Sequence, residues 1–338
     1  MTGDHRPVRS RDTFRRLDCP LVAQDTDAQL QSLLPVLRCP RCGSTIERHA
    51  EGMLVCTVGH EHPVVGGIPR FTPASTYADS FGYQWTTFRT TQLDDANRAE
   101  SEDTFAAKTG LRPDDVKGRS VLDVGCGMGR FADVVARWGA STVVGMDLSR
   151  AVESAAENLA PHDQAFVIQA DAAHPPLQAE SFDIVFSIGV LHHTPSTARS
   201  LAAVAPLVKP GGTLAVWLYW SRLRWTHAGS EILRPITSRM SEDRLLRMVR
   251  KVVPAADGVH RRFPFASKPL RVVLPTSSHP DAEWRILDTF DWYSPRFQWK
   301  HSEPEVRGWF EQAGFSDLWT GPIPVSVRGH KDEPDRLD

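Results

Sequence analysis

The stretch Val121-Leu-Asp-Val-Gly-Cys-Gly-Met-Gly-Arg-Phe131 decides how this chain folds. It begins with an apolar run that is typical of a buried strand, and glycines follow at the alternate positions 125, 127 and 129. A glycine turn lets the backbone approach a ligand closely, because no Cβ atom intervenes. Apolar residues at helical spacing come next, from Phe131 to Trp138. This order predicts the ligand-binding corner of a doubly wound α/β sheet, although a tight turn without a ligand would show the same pattern.

Two details of the stretch indicate which ligand is bound. The spacing G-x-G-x-G departs from the G-x-G-x-x-G spacing of dinucleotide-binding folds. Asp123 lies inside the strand, where an unpaired carboxylate is costly to bury. With these features the run resembles motif I of the class I S-adenosylmethionine-dependent methyltransferases. The resemblance implies that Asp123 orients the loop and that Gly125, Cys126 and Gly127 contact the cofactor S-adenosylmethionine, with the two glycines against its methionine part.

Acidic residues end the next two predicted strands, at Asp147 and Asp171. At the carboxyl end of the second strand, Asp147 can accept hydrogen bonds from both ribose hydroxyl groups. An N-cap for the following helix is a second, compatible role for Asp147. The resemblance implies that Asp171 and Ala172 contact the adenine ring, and that Leu148 and Ile188 complete the cofactor-binding residues.

Predicted strands and helices alternate over residues 119–220 and return over 302–328, as a parallel sheet requires. The resemblance therefore implies a doubly wound, seven-stranded, Rossmann-like α/β methyltransferase domain over residues 119–328. Residues 221–301, which follow strand 5, are too many for an ordinary connection. They are rich in tryptophan and basic residues, and we expect them to form a lid over the substrate.

Two adjacent histidines, His192 and His193, follow the fourth predicted strand. A histidine at the mouth of the site can act as a general base for a hydroxyl acceptor, which makes both residues catalytic candidates. The alternative, which we favour, is that the pair shapes the loop and touches the cofactor, since it recurs in family members with different chemistry. No Asn/Asp-Pro-Pro-Tyr segment follows this strand, which argues against the DNA adenine and cytosine amino-methyltransferases.

Residues 36–73 form a predicted separate module with two metal-binding knuckles. A C-x-x-C pair is followed by C-x-x-x-H, the soft and borderline ligands that tetrahedral zinc requires. Chance proximity and a redox pair are the alternatives, but no thioredoxin-like context follows. His62 competes for the fourth position, and we prefer His60 because its spacing from the preceding cysteine is shorter. The module resembles the zinc ribbons that precede some bacterial methyltransferases. The predicted zinc ligands are Cys39, Cys42, Cys56 and His60.

Two further segments complete the predicted organisation. Residues 1–35 carry scattered arginines and indicate a polar tail. Residues 74–118 indicate a helical lead-in, which in methyltransferases of this type commonly lies over the cofactor. Packing of its aromatic residues against the sheet is the alternative. The candidates for cofactor or substrate contact in the lead-in are Tyr83, Gln84, Trp85 and Arg89.

Composition narrows the class of protein. The chain has 338 residues, is 41% hydrophobic and 24% charged, and carries a net charge of -2. These values are ordinary for a globular protein and give no global electrostatic case for nucleic acid. Five cysteines, one of them inside the glycine turn, do not indicate a disulfide framework. Without an apolar leader or membrane-spanning run, we expect a cytoplasmic protein with no membrane partner.

These observations support two functional hypotheses. The favoured one is a methyltransferase acting on a small polar metabolite, such as a sugar or a secondary-metabolite intermediate. The second is an RNA base methyltransferase similar to the ribosomal RNA guanine enzymes, in which the ribbon and the basic residues between Arg250 and Arg271 would contact the nucleic acid. The net charge favours the small molecule over RNA. A non-catalytic cofactor-binding protein is disfavoured by the complete set of motifs.

Overall fold

A computed structural model describes residues 30–49, 52–73, 76–94, 99–224, 228–263, 265 and 268–333. The predicted polar tail, as far as residue 29, and Trp225 of the predicted lid lie outside the described residues. Within the described ranges, no helix is both long enough and apolar enough to cross a membrane.

The N-terminal module is a four-stranded antiparallel sheet with its strands in chain order. The strands are β1 (Ile46–His49), β2 (Met53–Cys56), β3 (Glu61–Val65) and β4 (Ile68–Pro69). The predicted lead-in follows as three helices, α1 (Asp79–Thr87), α2 (Glu100–Thr109) and α3 (Pro113–Val116).

Seven strands form the larger sheet, and they include all the strands predicted after residue 119. They are β5 (Ser120–Val124), β6 (Thr142–Asp147), β7 (Ala165–Gln169), β8 (Phe182–Ile188), β9 (Val208–Trp217), β10 (Phe315–Thr320) and β11 (Ser326–Lys331). Three of the connections between β5 and β9 contain an α-helix. These are α4 (Arg130–Arg137) after β5, α5 (Ala151–Leu159) after β6 and α6 (Thr197–Val204) after β8. The helix α11 (Glu303–Gln312) precedes β10.

The spatial order of the strands is β10-β11-β9-β8-β5-β6-β7. The five strands from β5 to β9 are parallel, whereas β11 is antiparallel to both of its neighbours. From β5 the chain proceeds outward through β6 and β7 and then returns to the other side of β5 at β8. The crevice at this switch point, beyond the carboxyl ends of β5 and β8, is where open α/β sheets bind ligands. The predicted seven-stranded, doubly wound sheet is therefore confirmed.

Both faces of the large sheet are buried. Leu122 and Val124 of β5 belong to one apolar core, and Val121 belongs to the other. A strand that is covered on both faces needs a continuous apolar sequence, which is what the opening run provides.

The N-terminal module packs on the edge of the large sheet. Arg70 pairs with Gln169 at the end of β7, and the Phe71 amide donates a hydrogen bond to the Gln169 carbonyl oxygen (2.8 Å). The Arg70 guanidinium also donates to Gln169 Oε1 (3.0 Å). Leu37 and Leu54 of the module join the core of the large sheet. Although its sequence indicates a separate module, this segment shares a hydrophobic core with the sheet.

In the described residues, the predicted lid contains four α-helices: α7 (Ala228–Thr237), α8 (Glu242–Arg262), α9 (Lys268–Val273) and α10 (Ala282–Tyr293). Leu245 and Val249 of α8 pack against Leu287 and Phe290 of α10 in a core of their own, which also includes Phe88 behind α1. The insertion therefore folds as a helical cap that rests on the lead-in.

We expect the crossing of α7 and α9 to depend on the absence of a side chain at Gly229. A Cβ atom at this position would lie 1.8 Å from the Val273 carbonyl oxygen. Gly229→Ala should therefore lower the free energy of unfolding by about 1–3 kcal/mol, as overpacking does. Urea unfolding followed by circular dichroism measures the change.

The matched control is Gly258→Ala in α8, where nothing lies within 4 Å of the added Cβ atom. Because alanine is the better helix former, this variant should gain up to about 1 kcal/mol. Equal effects of the two substitutions would contradict the packing of α7 against α9.

Candidate functional site

A cavity of about 600 Å³ opens at the carboxyl edge of the large sheet. Its floor consists of residues that end or follow β5, β6, β7, β8 and β9. Helices α1, α2 and α10 contribute the residues that cover it. The cavity therefore occupies the crevice that the sheet topology indicates, and both the lead-in and the insertion enclose it.

The glycine turn forms one wall of the cavity. Gly125 has a φ of +80°, and a Cβ atom there would lie 2.2 Å from Val190 Cγ1. Gly127 has a φ of +54°, and its Cβ atom would lie 3.1 Å from Trp85 Nε1. The positive φ values favour glycine at both positions, and at Gly125 the Val190 side chain also leaves no room for a Cβ atom.

Asp147 fixes this turn from the end of β6. Its Oδ2 accepts a hydrogen bond from the Gly127 amide (3.0 Å), and its Oδ1 accepts from the Ser149 amide (2.8 Å) and hydroxyl (2.7 Å). Burial raises the pKa of the Asp147 carboxyl, and these hydrogen bonds oppose the increase. The alternative role as an N-cap is not observed, because α5 begins at Ala151 with Arg150 in the N-cap position.

Seven of the nine predicted cofactor-binding residues line the cavity. They are Gly125, Cys126, Gly127, Asp147, Leu148, Ala172 and Ile188. Asp123 and Asp171 do not line it. Asp171 Oδ1 accepts a hydrogen bond from the hydroxyl of Tyr77 (3.3 Å), and Tyr77 is on the cavity wall. Asp171 therefore lies one side chain behind the surface.

Asp123 is a buried acid beneath the glycine turn, with an exposed fraction of 2%. Among the described residues, its Oδ2 has no hydrogen-bond partner. Burial, together with the nearby Asp147, raises the pKa of Asp123 well above its usual range. A protonated Asp123 is thus favoured, which avoids a second negative charge beside Asp147.

The two candidate catalytic histidines differ in position. His193 lines the cavity, and its Nδ1 lies 2.8 Å from the Phe297 carbonyl oxygen. Since a carbonyl oxygen only accepts, Nδ1 carries the proton and Nε2 keeps its lone pair. Burial lowers the pKa of His193 to about 4, so its ring is neutral at pH 7. His192 is fully buried against Tyr219, with ring centroids 3.9 Å apart, and does not line the cavity.

The four candidates in the lead-in divide in the same way. Gln84 and Trp85 line the cavity. The Tyr83 hydroxyl instead donates a hydrogen bond to Asp243 Oδ1 on α8 (2.6 Å), and Arg89 pairs with Glu157 on α5 (2.8 Å). Successive residues of a helix point in different directions, which the resemblance alone did not resolve.

The end of the cavity away from Asp147 contains residues that the sequence did not single out. The Tyr219 hydroxyl, beyond β9, donates a hydrogen bond to Asp291 Oδ2 on α10 (2.9 Å). Burial raises the pKa of Asp291 to about 6. Lys108 and Trp217 also line the cavity. Asp291 lies in the predicted lid, but the tryptophan-rich sequence of the lid did not indicate this acid.

The predicted metal ligands converge in the N-terminal module. The ligand atoms of Cys39, Cys42, Cys56 and His60 all lie within 4.8 Å of one another. His62 Nε2 is also 3.4 Å from Cys39 Sγ, but the His62 ring packs against Phe71 in a tilted arrangement with centroids 4.9 Å apart. Hydrogen bonds with Ser44 lower the pKa of the Cys42 thiol to about 6, which favours the thiolate that a metal binds. Three thiol groups and one imidazole are a donor set that suits zinc.

Comparison with known proteins agrees with this geometry. The family described as "Methyltransferase domain" matches residues 122–216. A ubiquinone biosynthesis O-methyltransferase from Albidiferax ferrireducens is 41% identical over 117 residues, which cover 32% of this chain and 42% of that protein. The enzyme of the same name from Coxiella burnetii is 37% identical over 101 residues, which cover 29% of this chain and 43% of that protein. The chain thus spans less than half the length of these relatives.

Solved structures resemble the chain more weakly. An S-adenosylmethionine-dependent methyltransferase from Mesorhizobium loti has 18% identity and a TM-score of 0.43, and the match covers 69% of this chain and 99% of that chain. The family match spans the glycine turn, Asp147 and the strands β5 to β8. In these residues the chain is similar to the methyltransferase domain.

Proposed function

We propose that this protein transfers a methyl group from S-adenosylmethionine to a small polar acceptor. The observation that carries the proposal is the hydrogen-bonded pair of Gly127 and Asp147 on the wall of an enclosed cavity at the switch point of the sheet. Bound S-adenosylmethionine supplies an electrophilic methyl group, whose bond to sulfur breaks as its bond to the acceptor forms. All other parts of the proposal concern the residues of this chain.

The residues present fit the cofactor. Gly125 and Gly127 line the cavity, and an extended group can approach their backbone closely because they have no side chains. Asp147 Oδ1 already accepts two hydrogen bonds, whereas Oδ2 accepts one and has capacity for a second, so a ribose hydroxyl can bind at Oδ2 without loss of the turn. Ala172 and Tyr77 would contact the adenine ring, and Asp171 would act from behind by accepting the Tyr77 hydrogen bond. Asp123 would act from behind, by orienting the turn.

Positioning accounts for most of the proposed catalysis. Helices from the lead-in and the insertion close the cavity, and an enclosed site can hold a nucleophile in line with the methyl group. His193 is neutral and has a free Nε2 lone pair, so it can accept the proton of a hydroxyl acceptor. A pKa of about 4 makes it a weak base, which agrees with a positioning role for the histidine loop.

The enclosed shape also supports a small acceptor. Aromatic walls with a few polar groups are typical of small-molecule sites. The curated relatives are named as ubiquinone biosynthesis O-methyltransferases, which supports O-methylation of a small molecule. Within that class we keep the prediction of a polar metabolite, such as a sugar or a secondary-metabolite intermediate.

We propose further that Cys39, Cys42, Cys56 and His60 hold one zinc ion. Their convergence within 4.8 Å supports this proposal. The module is small, but its packing against β7 adds apolar contacts, so metal binding and the shared core would stabilise it together.

The cofactor assignment is tested at Asp147. Asp147→Ala removes the carboxylate that holds Gly127 and would bind the ribose, so the affinity for S-adenosylmethionine should fall by about 1.5–3 kcal/mol. Isothermal titration calorimetry measures the affinity. Asp163→Ala, which removes an exposed acid outside the cavity, is the matched control. Unchanged affinity in Asp147→Ala would show that the ribose site lies elsewhere.

The metal assignment is tested at the two histidines. Metal analysis of the purified protein should give about one zinc per chain, as expected for a four-ligand site. His60→Ala should lose the metal, whereas His62→Ala should keep it, because His62 packs against Phe71. If His60→Ala retained zinc and His62→Ala lost it, His62 rather than His60 would be the fourth zinc ligand. A metal-free wild-type protein with a protease-resistant module would contradict the site itself.

The RNA hypothesis is tested on helix α8, where Arg261 and Arg262 are exposed. The double variant Arg261→Glu, Arg262→Glu reverses two charges outside the cavity. We expect the affinity for S-adenosylmethionine and the affinity for structured RNA, measured by calorimetry and filter binding, to be the same as in the wild type. An RNA affinity of the wild type that falls steeply with salt and is lost in the variant would favour the RNA substrate instead.

A further inference from the structure

A lysine amine lies at the end of the cavity away from Asp147. Lys108 is in the last turn of α2, and its Nζ is 3.5 Å from the centroid of the Trp217 ring. Both side chains line the cavity. Within the part of the chain that the structure describes, no carboxylate forms an ion pair with this amine. An ammonium group has three N–H donors, so the amine has hydrogen-bonding capacity that these residues leave unused.

A second cation lies close by, and among the described residues its side chain donates hydrogen bonds to neutral groups only. Arg130 donates to Ser101 Oγ (3.0 Å) and to Gln92 Oε1 (3.2 Å), and its guanidinium lies 5.1 Å from the Trp284 ring centroid. Burial lowers the pKa of Arg130 to about 10, so it keeps its charge at pH 7. The cavity thus carries two cations, each over an aromatic ring.

The carboxylates that line the cavity near Lys108 have hydrogen-bond partners elsewhere in the chain. Asp291 accepts a hydrogen bond from Tyr219, and Asp288 accepts one from the Ser277 hydroxyl (2.9 Å). Glu100 lies 3.3 Å from His279 Nε2. Each of these carboxylates thus has a partner of its own. None of them lies close enough to the Lys108 amine to form an ion pair with it. An anionic ligand in the cavity can therefore supply an acceptor to the lysine.

We propose that Lys108 and the Trp217 ring form a subsite for an anionic group of the methyl acceptor, a carboxylate or a phosphate, with Arg130 adding longer-range attraction. This subsite rests on the proposed methyltransferase function, and it implies that the methyl acceptor is negatively charged. The aromatic rings of Trp217 and Trp284 would contact the apolar body that carries this group. A buried charge needs a partner of opposite sign, which is why an anion suits this position better than a neutral polar group.

The amine also makes the subsite sensitive to pH. Burial, followed by repulsion from Arg130, lowers the pKa of the Lys108 amine to about 7, while Asp288 opposes the decrease. The other ionisable neighbour, His192, is neutral because burial lowers its pKa well below the usual range. A bound anion stabilises the ammonium form, so anion affinity is full below pH 7. It falls as the free amine loses its proton above pH 7, by up to about tenfold per pH unit.

The test uses three probes of similar size: benzoate, phenyl phosphate and neutral benzyl alcohol. Calorimetry measures their affinities from pH 6 to pH 9, for the protein alone and saturated with S-adenosylhomocysteine. At pH 6.5 we expect benzoate or phenyl phosphate to bind at least about tenfold more tightly than benzyl alcohol, as charge-assisted hydrogen bonds do. The tighter anion identifies the group as carboxylate or phosphate. Equal affinity for all three probes would overturn the proposal.

Variants of the lysine separate binding from packing. Lys108→Met should abolish the preference for anions, whereas Lys108→Arg should keep it and remove the decrease above pH 7, since a guanidinium stays protonated. Lys117→Met, at an exposed lysine outside the cavity, should behave as the wild type. A preference that persists in Lys108→Met, or a pH dependence that persists in Lys108→Arg, would overturn the subsite. Failure of S-adenosylhomocysteine to bind would instead count against the proposed function, because the probes are also measured without it.

Discussion

The hydrogen bond from the Gly127 amide to Asp147 Oδ2, 3.0 Å long, is the contact on which the site depends. It ties the turn after β5 to the end of the neighbouring strand β6, and both residues of this contact line the cavity. The turn can make this bond only because glycines occupy positions 125 and 127, where the backbone has positive φ values, and where a Cβ atom would collide with Val190 at the first position and lie close to Trp85 at the second. The same two neighbours line the cavity, so one constraint fixes both the turn and its cover.

Most of the fold followed from local sequence patterns. Continuous apolar runs predicted the parallel strands because a strand that is buried on both faces has no polar alternation. The helix that begins at Glu303 and ends before Gly314 followed from end signals that are visible in the chain. The close packing of the N-terminal module on β7 was not predicted, because the pairing of Arg70 with Gln169 joins residues far apart in sequence. Periodicity and spacing carry no information about such contacts.

The candidate site likewise contains residues that the sequence predicted and residues that it did not. Residues on the turn and at strand ends, such as Gly125 and Asp147, reach the cavity because the topology forces strand ends to one edge. Asp171 and His192 follow strands of the same sheet, yet their side chains lie behind the wall. Lys108 was missed because a lysine in the last turn of a helix is ordinary on sequence grounds, where it complements the helix dipole. Its significance comes only from Trp217, which approaches it from a different part of the chain.

The family match covers residues at one end of the cavity but few at the other end. The family match ends at residue 216, and it includes the glycine turn and Asp147. Lys108, Trp217 and Tyr219 lie outside the matched residues, as do Trp284 and Asp291 of the insertion. The part of the cavity proposed for the acceptor is thus built mainly by the lead-in, the end of β9 and the helical cap. Because acceptor specificity is a difference in contacts at that end, the substrates of the relatives do not determine the substrate of this protein. The charges and aromatic rings at that end are the more direct guide to its chemistry.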